Sequence, residues 1–187
     1  MTDRPILFQD EMVRAILDDR KTVTRRVGPT WASVTPATRL WVRECFALPA
    51  RHNSFSPAYI AEACRQAGYS HPWAPIWYRA DGSYNGAIPV LSANDPGEWG
   101  GRGRWRPSIH LPRWACRLEL EVVSVTEERC VLGGGLGQMA VLMPGVTDEE
   151  ARRDGFASRS AFLALWMKLH PDYSGTVYRV EFRRVTP

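Results

Sequence analysis

A strand, a helix and a dense polar segment follow one another in residues 5–26, PILFQDEMVRAILDDRKTVTRR. The apolar run 5–8 predicts a short first strand. Asp10 can cap a helix whose apolar residues recur at the spacing of one helix face. The helix pattern ends near 18–20, and the polar segment 20–26, RKTVTRR, is expected directly after it.

The rest of the chain contains further strand and helix patterns. Alternating residues predict strands over 39–45, 117–127 and 176–184. Capping residues predict helices over 57–68, over 147–154 and from Ser158 onward. In the last helix four apolar residues form the expected buried stripe: Phe162, Leu165, Trp166 and Leu169. The mixture predicts an α+β protein.

Residues 70–114 differ in composition from the rest of the chain. They hold five of the eight tryptophans, many Gly and Pro, and a series of arginines. Long stretches of this kind are either a functional covering loop or an insertion packed on the sheet or barrel below. A second unusual stretch, GGGLG at 133–137, lacks the Lys-Ser/Thr of a phosphate loop and is interpreted as a hinge.

The composition excludes several classes of protein. With 187 residues and a formal net charge of +4, the chain fits one globular domain. Its apolar runs are far below the ~20 residues needed to cross a bilayer, so no membrane partner is expected. The acidic start differs from a secretory signal, and a cytoplasmic protein is expected. The four Cys and the four His are scattered, and no metal site is indicated.

Lysine is rare in this chain, and one lysine lies in the polar segment. Only two of the 24 basic residues are lysines, Lys21 and Lys168. The arginine excess is typical of genome base composition, although arginine also suits phosphate recognition. If burial or neighbouring arginines lower the pKa of Lys21, it can accept the hydroxyl proton of Thr24, whose oxygen can then attack a carbonyl. The alternative is a solvated basic turn.

Two carboxylates are candidates for a third polar role. Glu44 lies at the end of the second strand pattern, and an inward carboxylate there needs a partner such as Lys21, Arg26 or a substrate amino group. Its alternative is a structural ion pair. Asp154 ends the helix that TDEE opens, and its alternative is exposure to solvent.

Aromatic and arginine side chains are interleaved in the irregular stretch. The loop predicted over 105–114 begins with Trp105 and Arg106 and ends with a second Arg-Trp pair. Aromatic planes beside arginine can stack a nucleobase and hold a sugar or phosphate. Arg79 in YRADG is a similar case, and Trp41 joins these candidates for substrate binding. The alternative is that the tryptophans cover a small core.

Several motifs, in order, resemble the ASCH-domain proteins of phages and bacteria. They are RPILFQDEMVRAILDDRKTVTRR, RLWVRECFA, YRADG, WRPSIHLPRWACRLELEVVSV, EEARRDGF and VYRVEFRRV. The resemblance covers most of the chain apart from 46–70 and 131–146. It implies a PUA-like fold, a small mixed β-barrel flanked by helices with a cleft beside the first helix. It also implies one ASCH-like domain over 1–187 with a variable insertion at about 46–114.

Within that fold, the small bacterial N4-acetylcytidine amidohydrolases have a similar helix-to-RKT-x-T segment. The resemblance implies a catalytic set of Lys, Thr and Glu, and Lys21 and Thr24 match the first two. The family glutamate lies in the segment that TDEEARRDGF resembles, where this chain has Asp154. Glu44, in the WVRE motif, therefore competes with Asp154 for the third role.

The expected function is removal of an acyl group from the exocyclic N4 of cytosine nucleosides or related modified bases. Lys21 would be the general base and Thr24 the nucleophile. Glu44 or Asp154 would orient Lys21 or the leaving amine, and Arg26 would help to stabilise the oxyanion. This chemistry needs no metal or organic cofactor. The alternatives are an RNA- or DNA-binding PUA-like module without amidase activity, and a nuclease.

Overall fold

The computed structural model of the chain describes residues 3–85, 101–135 and 138–185. Within these ranges it is an α+β structure with two β-sheets and four α-helices. The elements are, in chain order, β1 (Asp3–Leu7), α1 (Asp10–Leu17), β2 (Val23–Val27), β3 (Arg39–Arg43), β4 (Phe46–Pro49), α2 (Pro57–Gln66), β5 (Ile76–Tyr78), β6 (Tyr84–Asn85), β7 (Arg102–Arg106), β8 (Glu119–Gly135), β9 (Gln138–Leu142), α3 (Asp148–Arg153), α4 (Arg159–Leu169) and β10 (Gly175–Val185). None of these helices has the length and apolar character to cross a membrane.

Contacts divide the chain into two compact units, each built from separated segments. The first unit consists of Met1–Arg4, Ala15–Leu40 and Leu120–Pro187. The second unit consists of Pro5–Arg14 and Trp41–Glu119. The single ASCH-like domain with an insertion at about 46–114 stays a prediction.

The larger sheet has six strands in the order β1-β3-β8-β10-β2, with β9 paired to β8. Within the described ranges this order does not return to its first strand, so the sheet is open. β10 and β2 are antiparallel, and Val180 lies opposite Thr24. Because side chains alternate between the two faces of a strand, Thr24 and Arg26 share one face of β2 and Arg25 lies on the other. This alternation decides which side chains of the polar segment can meet.

The two helices between β9 and β10 begin at the predicted caps. Thr147 Oγ1 accepts a hydrogen bond from Glu150 N at 3.2 Å, and Ser158 Oγ accepts one from Ala161 N at 3.3 Å. These oxygens satisfy backbone donors that a helix start leaves without intrahelical partners. The cap predictions for α3 and α4 are therefore confirmed.

The buried stripe predicted for α4 is correct only in part. Phe162 and Trp166 are buried in a cluster with Cys130 of β8 and Val177 of β10. Leu169 is 55% exposed, so the prediction is wrong at this position. Leu169 is the last residue of α4 and lies outside this cluster, and Leu165 is only half-buried.

The glycine-rich stretch continues a strand. β8 runs to Gly135, and Gly133 and Gly134 lie opposite Ala140 and Met139 of β9. The hinge prediction is therefore wrong for these glycines, because pairing with β9 holds their backbone extended. Residues 136–137 of the predicted hinge lie outside the described residues.

The second unit contains a four-stranded sheet in the order β6-β5-β4-β7. Three of these strands lie within 70–114, so part of the described stretch is ordered as a sheet and does not form a loop. Trp105 and Arg106 lie in β7 opposite Ala47 and Phe46 of β4. The loop prediction for these two residues is wrong because strand pairing orders them. The remainder, 86–100, lies outside the described residues.

A buried apolar cluster supports the smaller sheet. Phe46, Ile76 and Tyr78 of its strands pack with Ile60 of α2 and with Leu111. The Tyr78 hydroxyl donates to the Ala115 carbonyl at 2.8 Å, so the polar tip of this core residue is satisfied.

The cap of α3 yields a stability prediction. We expect Thr147→Ala to lower the free energy of unfolding by about 1 kcal/mol, because the Glu150 amide loses its side-chain acceptor. Urea unfolding measures the change. The matched control is Thr147→Ser, which keeps the oxygen and should retain most of the stability. Equal losses in both variants would contradict a capping role.

Candidate functional site

The chain turns sharply between α1 and β2, and this turn positions Lys21. Asp19 adopts a left-handed conformation with φ 55°, which aspartate tolerates better than most residues. The backbone amides of Arg20 and Lys21 both donate to the Ala15 carbonyl, at 2.8 and 2.9 Å. The amide of Thr22 donates to the Arg153 carbonyl at 2.9 Å. Backbone hydrogen bonds thus attach the polar segment to the end of α1 and to the end of α3.

The amino group of Lys21 is buried among oxygen acceptors. Nζ donates to the carbonyl oxygens of Val23 at 2.7 Å and Asp154 at 2.6 Å, and it lies 3.6 Å from Asp154 Oδ1. The Lys21 side chain is only 2% exposed, so the alternative of a solvated basic turn is wrong.

The pKa of Lys21 is lowered from 10.5 to about 8. Burial is the main cause because it penalises the charged amine, and the nearby Arg26 and Arg25 charges lower it further. The Asp154 carboxylate acts in the opposite direction and raises it. A lysine with this pKa is partly neutral near pH 7–8 and can accept a proton.

Asp154 is buried at the C-terminal end of α3, so its alternative of solvent exposure is also wrong. Its Oδ2 accepts from Nη1 of Arg25, while Oδ1 faces Lys21. Burial raises the pKa of Asp154, and the charges of Lys21 and Arg25 oppose that rise. The structure therefore places Asp154 beside Lys21. Asp154 is one of the two carboxylates that the sequence offered for the third role.

Arg25, the most enclosed cation of this cluster, was not among the residues predicted from the sequence. Its side chain is fully buried and donates to Glu128 through Nε at 2.7 Å and to Glu150 through Nη2 at 3.0 Å, besides Asp154. Glu150 also accepts from Arg179 at 2.8 Å. Two features of the sequence could have indicated Arg25. Alternation along β2 separates it from Thr24, and Glu150 and Asp154 are about one helical turn apart at α3.

Thr24 and Arg26 lie on the other face of β2. Thr24 is buried and Arg26 is half-buried, and Arg26 Cζ lies 6.0 Å from the centre of the Trp31 ring. Burial lowers the pKa of Arg26 to about 10, against an opposing effect of Asp154, so this guanidinium is still charged at neutral pH. One face of β2 therefore presents a hydroxyl and a cation two residues apart.

A cleft of about 340 Å³ opens beside Lys21. It is lined by Ile16, Asp19, Lys21, Thr22, Phe182, Arg183 and Arg184. Thr22 and Arg184 were not predicted as site residues. Thr22 Oγ1 accepts from Arg153 Nε at 3.3 Å, so a second threonine of the RKTVT segment has a defined position.

Glu44 belongs to a different cluster, in the second unit. β3 ends at Arg43, so Glu44 follows the strand instead of lying within it. Its two oxygens accept from Nε and Nη2 of Arg117 at 2.9 and 2.8 Å, and its side chain is fully buried. Burial raises the pKa of Glu44, and the Arg117 hydrogen bonds oppose that rise. Glu44 thus forms the buried ion pair given as its alternative.

Arg117 joins this pair to other polar groups of the same unit. It donates to Asp81 Oδ2 at 2.8 Å, and its Cζ lies 4.1 Å from the centre of the Tyr78 ring. The Arg117 guanidinium is mostly removed from water. It is stabilised by the bidentate pair with Glu44, by the Asp81 carboxylate and by the face of the Tyr78 ring.

Two predicted substrate-binding arginines bind atoms of their own chain. Arg79 Nε donates to Asp10 Oδ2 at 2.5 Å. Arg106 Nη2 donates to the carbonyls of His52 at 2.8 Å and Asn53 at 3.2 Å. These contacts give both arginines a structural role, and their roles toward a substrate stay predictions.

The two predicted substrate-binding tryptophans contact arginines. Trp41 has Arg43 and Arg113 over its ring, with Cζ to ring-centre distances of 5.1 and 5.9 Å. Trp105 has Arg102 at 4.4 Å. Both rings are half-buried, and their contact with a base stays a prediction.

Comparison with known proteins found no matching protein-family model, no matching curated protein and no matching solved structure. Function is therefore inferred from the geometry of the Lys21 site together with the motif resemblance given above. In the part of the chain that the structure describes, no three His, Cys, Asp or Glu side chains are grouped as a metal site.

The Glu44 pair yields a second prediction. We expect Glu44→Gln to lower the free energy of unfolding by about 3 kcal/mol, because it leaves the Arg117 charge without its buried partner. The matched control is Glu119→Gln, which breaks the more exposed pair with Arg113 and should cost less than about 1 kcal/mol. Similar costs for the two variants, measured by urea unfolding, would contradict the buried pair.

The lowered pKa of Lys21 yields a third prediction. Between pH 8 and 10.5, Lys21 binds more protons in the unfolded chain than in the folded protein, so the free energy of unfolding rises with pH. The penalty for burying the charged amine is therefore complete below pH 8 and is relieved as the pH rises. We expect the wild type to gain about 2 kcal/mol of unfolding free energy relative to Lys21→Met between pH 7 and 9.5. Urea unfolding at both pH values measures it.

The only other lysine, Lys168, provides the control for this test. Lys168→Met should follow the pH dependence of the wild type, because the Lys168 side chain is exposed. Carbon-13 labelling of lysine gives just two Cε signals, and the one missing in Lys21→Met should titrate near pH 8. A Lys21 signal that titrates near 10.5 would refute the lowered pKa.

Proposed function

We propose that the protein is an amidohydrolase that removes an acyl group from the exocyclic N4 of cytosine nucleosides or related modified bases. The observation that carries the proposal is the buried amine of Lys21, with its pKa lowered to about 8, beside a cleft and three residues before a buried threonine. A general base is most effective when its pKa lies near the working pH.

Lys21 is assigned as the general base and Thr24 as the nucleophile. Thr24 lies on the same face of β2 as Arg26 and three residues after Lys21, and Thr22, which lines the cleft with Lys21, directly precedes the strand. Arg26 is assigned to the oxyanion, because a buried cation stabilises developing negative charge better than a solvated one.

The reaction uses these groups in two steps. Neutral Lys21 accepts the Thr24 hydroxyl proton, and the Thr24 oxygen attacks the acyl carbon. The bond from that carbon to N4 then breaks, and the leaving amine receives the proton from Lys21. Water, deprotonated by Lys21, attacks the acyl-threonine ester, which releases a carboxylic acid and restores the Thr24 hydroxyl. The sum is amide plus water to amine plus acid.

Asp154 is assigned as a positioning residue for Lys21, in preference to Glu44. Its carbonyl and its carboxylate both lie at Nζ, whereas both oxygens of Glu44 are bound to Arg117. Since the Asp154 charge raises the pKa of Lys21, it keeps that pKa from falling too far below the pH of the reaction.

The PUA-like (ASCH) fold is part of the same proposal. The α+β architecture and the position of Lys21 directly after the first helix are what the resemblance to ASCH-domain proteins implies. Both observations support the assignment, whereas the sheets of the described residues are open and do not form the barrel that the resemblance implies.

A second candidate function is binding of RNA or DNA without hydrolysis. Arg51, Arg102 and Arg104 are exposed in the second unit. Burial, followed by the charge of Arg104, lowers the pKa of Arg106, and burial followed by Arg51 and Arg106 lowers that of His52. Like charges are therefore close together here, which favours an anionic partner.

Hydrolysis of N4-acetylcytidine tests the leading proposal. We expect release of cytidine by the wild type, and a loss of at least about 1,000-fold in kcat/KM for Lys21→Met and for Thr24→Val, because each removes a group that acts in the reaction. The matched control is Thr22→Val, which removes a hydroxyl from the same segment but not the assigned nucleophile. Chromatographic detection of cytidine measures the rate of hydrolysis by the wild type and the three variants.

The pH profile distinguishes the assigned roles. For the wild type, kcat/KM should rise with pH up to about 8 and then level, because neutral Lys21 is the active form. Asp154→Asn should shift this midpoint to lower pH, because it removes the charge that raises the pKa of Lys21. Full activity in Lys21→Met would refute the mechanism. Salt-dependent oligonucleotide binding with every acylated nucleoside intact would favour the second candidate.

A further inference from the structure

The cleft beside Lys21 is strongly asymmetric in polarity. Its apolar residues, Ile16 and Phe182, are buried, and the Lys21 side chain is 2% exposed. Arg184 is 35% exposed and Arg183 70% exposed. The lining of this cleft therefore combines buried residues, two of them apolar, with water-exposed arginines.

The lining of the cleft carries an excess of positive charge. Lys21, Arg183 and Arg184 are cations, and Asp19 is the single carboxylate among the seven lining residues. Since guanidinium donors match the oxygens of a phosphate in pairs, arginine at the rim of a cleft suits an anionic phosphate.

Arg184 has hydrogen-bonding capacity for a ligand. Nη1 donates to the Leu17 carbonyl at 3.2 Å and Nη2 donates to Asp19 Oδ2 at 3.1 Å. These contacts to the end of α1 use two of its five N–H donors among the described residues, and they fix the guanidinium at the cleft. The remaining donors can bind an anion without loss of that anchor.

The ion pairs at the rim do not compete strongly with a phosphate. Arg184 pairs with Asp19, whose side chain is 68% exposed, and Arg183 pairs with Glu121 while 70% exposed itself. Exposed pairs of this kind contribute little to stability because water screens them. A phosphate monoester carries up to two charges and three acceptor oxygens, so it is the stronger partner.

We infer that the substrate of this cleft carries a phosphate on its sugar, bound by Arg184, so that acylated cytosine nucleotides are preferred to free nucleosides. This inference rests on the proposed function. The reacting acyl group lies toward buried Lys21 and the phosphate lies at the exposed rim. A volume of about 340 Å³ is within the range of roughly 300–1,000 Å³ typical of small-molecule sites.

The test compares N4-acetylcytidine, its 5′-monophosphate and a short oligonucleotide with one internal N4-acetylcytosine. We expect kcat/KM to be at least about tenfold higher for the monophosphate than for the nucleoside, mainly through KM, because a charged hydrogen-bonded contact is gained. Arg184→Gln should reduce this ratio to nearly one. The matched control is Arg65→Gln, which removes an exposed arginine paired with Glu62 on α2 and should keep the full ratio.

Each outcome decides the inference. Equal kcat/KM for nucleoside and monophosphate, or a ratio that survives Arg184→Gln, overturns it. A preference for the oligonucleotide that Arg184→Gln removes supports the phosphate site and assigns the phosphate to a polymer. A preference for the monophosphate assigns it to a free nucleotide.

Absence of hydrolysis for all three substrates refutes the proposed function but leaves the phosphate site testable by calorimetry. Cytidine 5′-monophosphate that binds at least about tenfold more tightly than cytidine, with the difference lost in Arg184→Gln, supports the site. Equal binding of the two ligands overturns it.

Discussion

The burial of three charged side chains, Lys21, Arg25 and Asp154, is the constraint on which the rest of the first unit depends. Each ion loses several kcal/mol of hydration on burial, and only close partners offset that loss. Asp154 meets Arg25 and Lys21, and Arg25 meets two further carboxylates. The positions of β2 and α3 are therefore coupled, since a shift of either element leaves a buried charge without its partner.

The nature of the acceptors around Lys21 explains how a buried amine can be both held and reactive. Its two shortest hydrogen bonds go to neutral carbonyls, and the carboxylate is farther away at 3.6 Å. Carbonyl dipoles orient the amine without the full attraction of an ion pair. Because burial outweighs the attraction of this one carboxylate, the amine can lose its proton near neutral pH, whereas Arg25, surrounded by three carboxylates, is held in its charged form.

Local features of the chain were predictable because they depend on neighbouring residues. The caps at Thr147 and Ser158 and the strand of 176–184 follow from spacing alone. Lys21 and Thr24 stand out for the same reason, since a rare lysine and a threonine three residues later form a local pattern.

Partnerships between distant residues were not predictable in this way. Arg25 and Asp154 are 129 positions apart, and Glu44 and Arg117 are 73 apart. Arg25 and Arg26 look identical in the sequence, and only the register of β2 against β10 assigns them to opposite faces. The hinge prediction for Gly133–Gly135 was wrong for a related reason, because pairing with β9 overrides the flexibility of isolated glycine.

The short helix α3 also limits which changes in length the chain tolerates. Glu150 and Asp154 reach Arg25 from positions four residues apart, which is slightly more than one helical turn. One inserted residue between them would rotate Asp154 by about 100° and move it away from Lys21 and Arg25. Variation among relatives of this protein should therefore include substitutions along α3 but no insertions or deletions between Thr147 and Asp154.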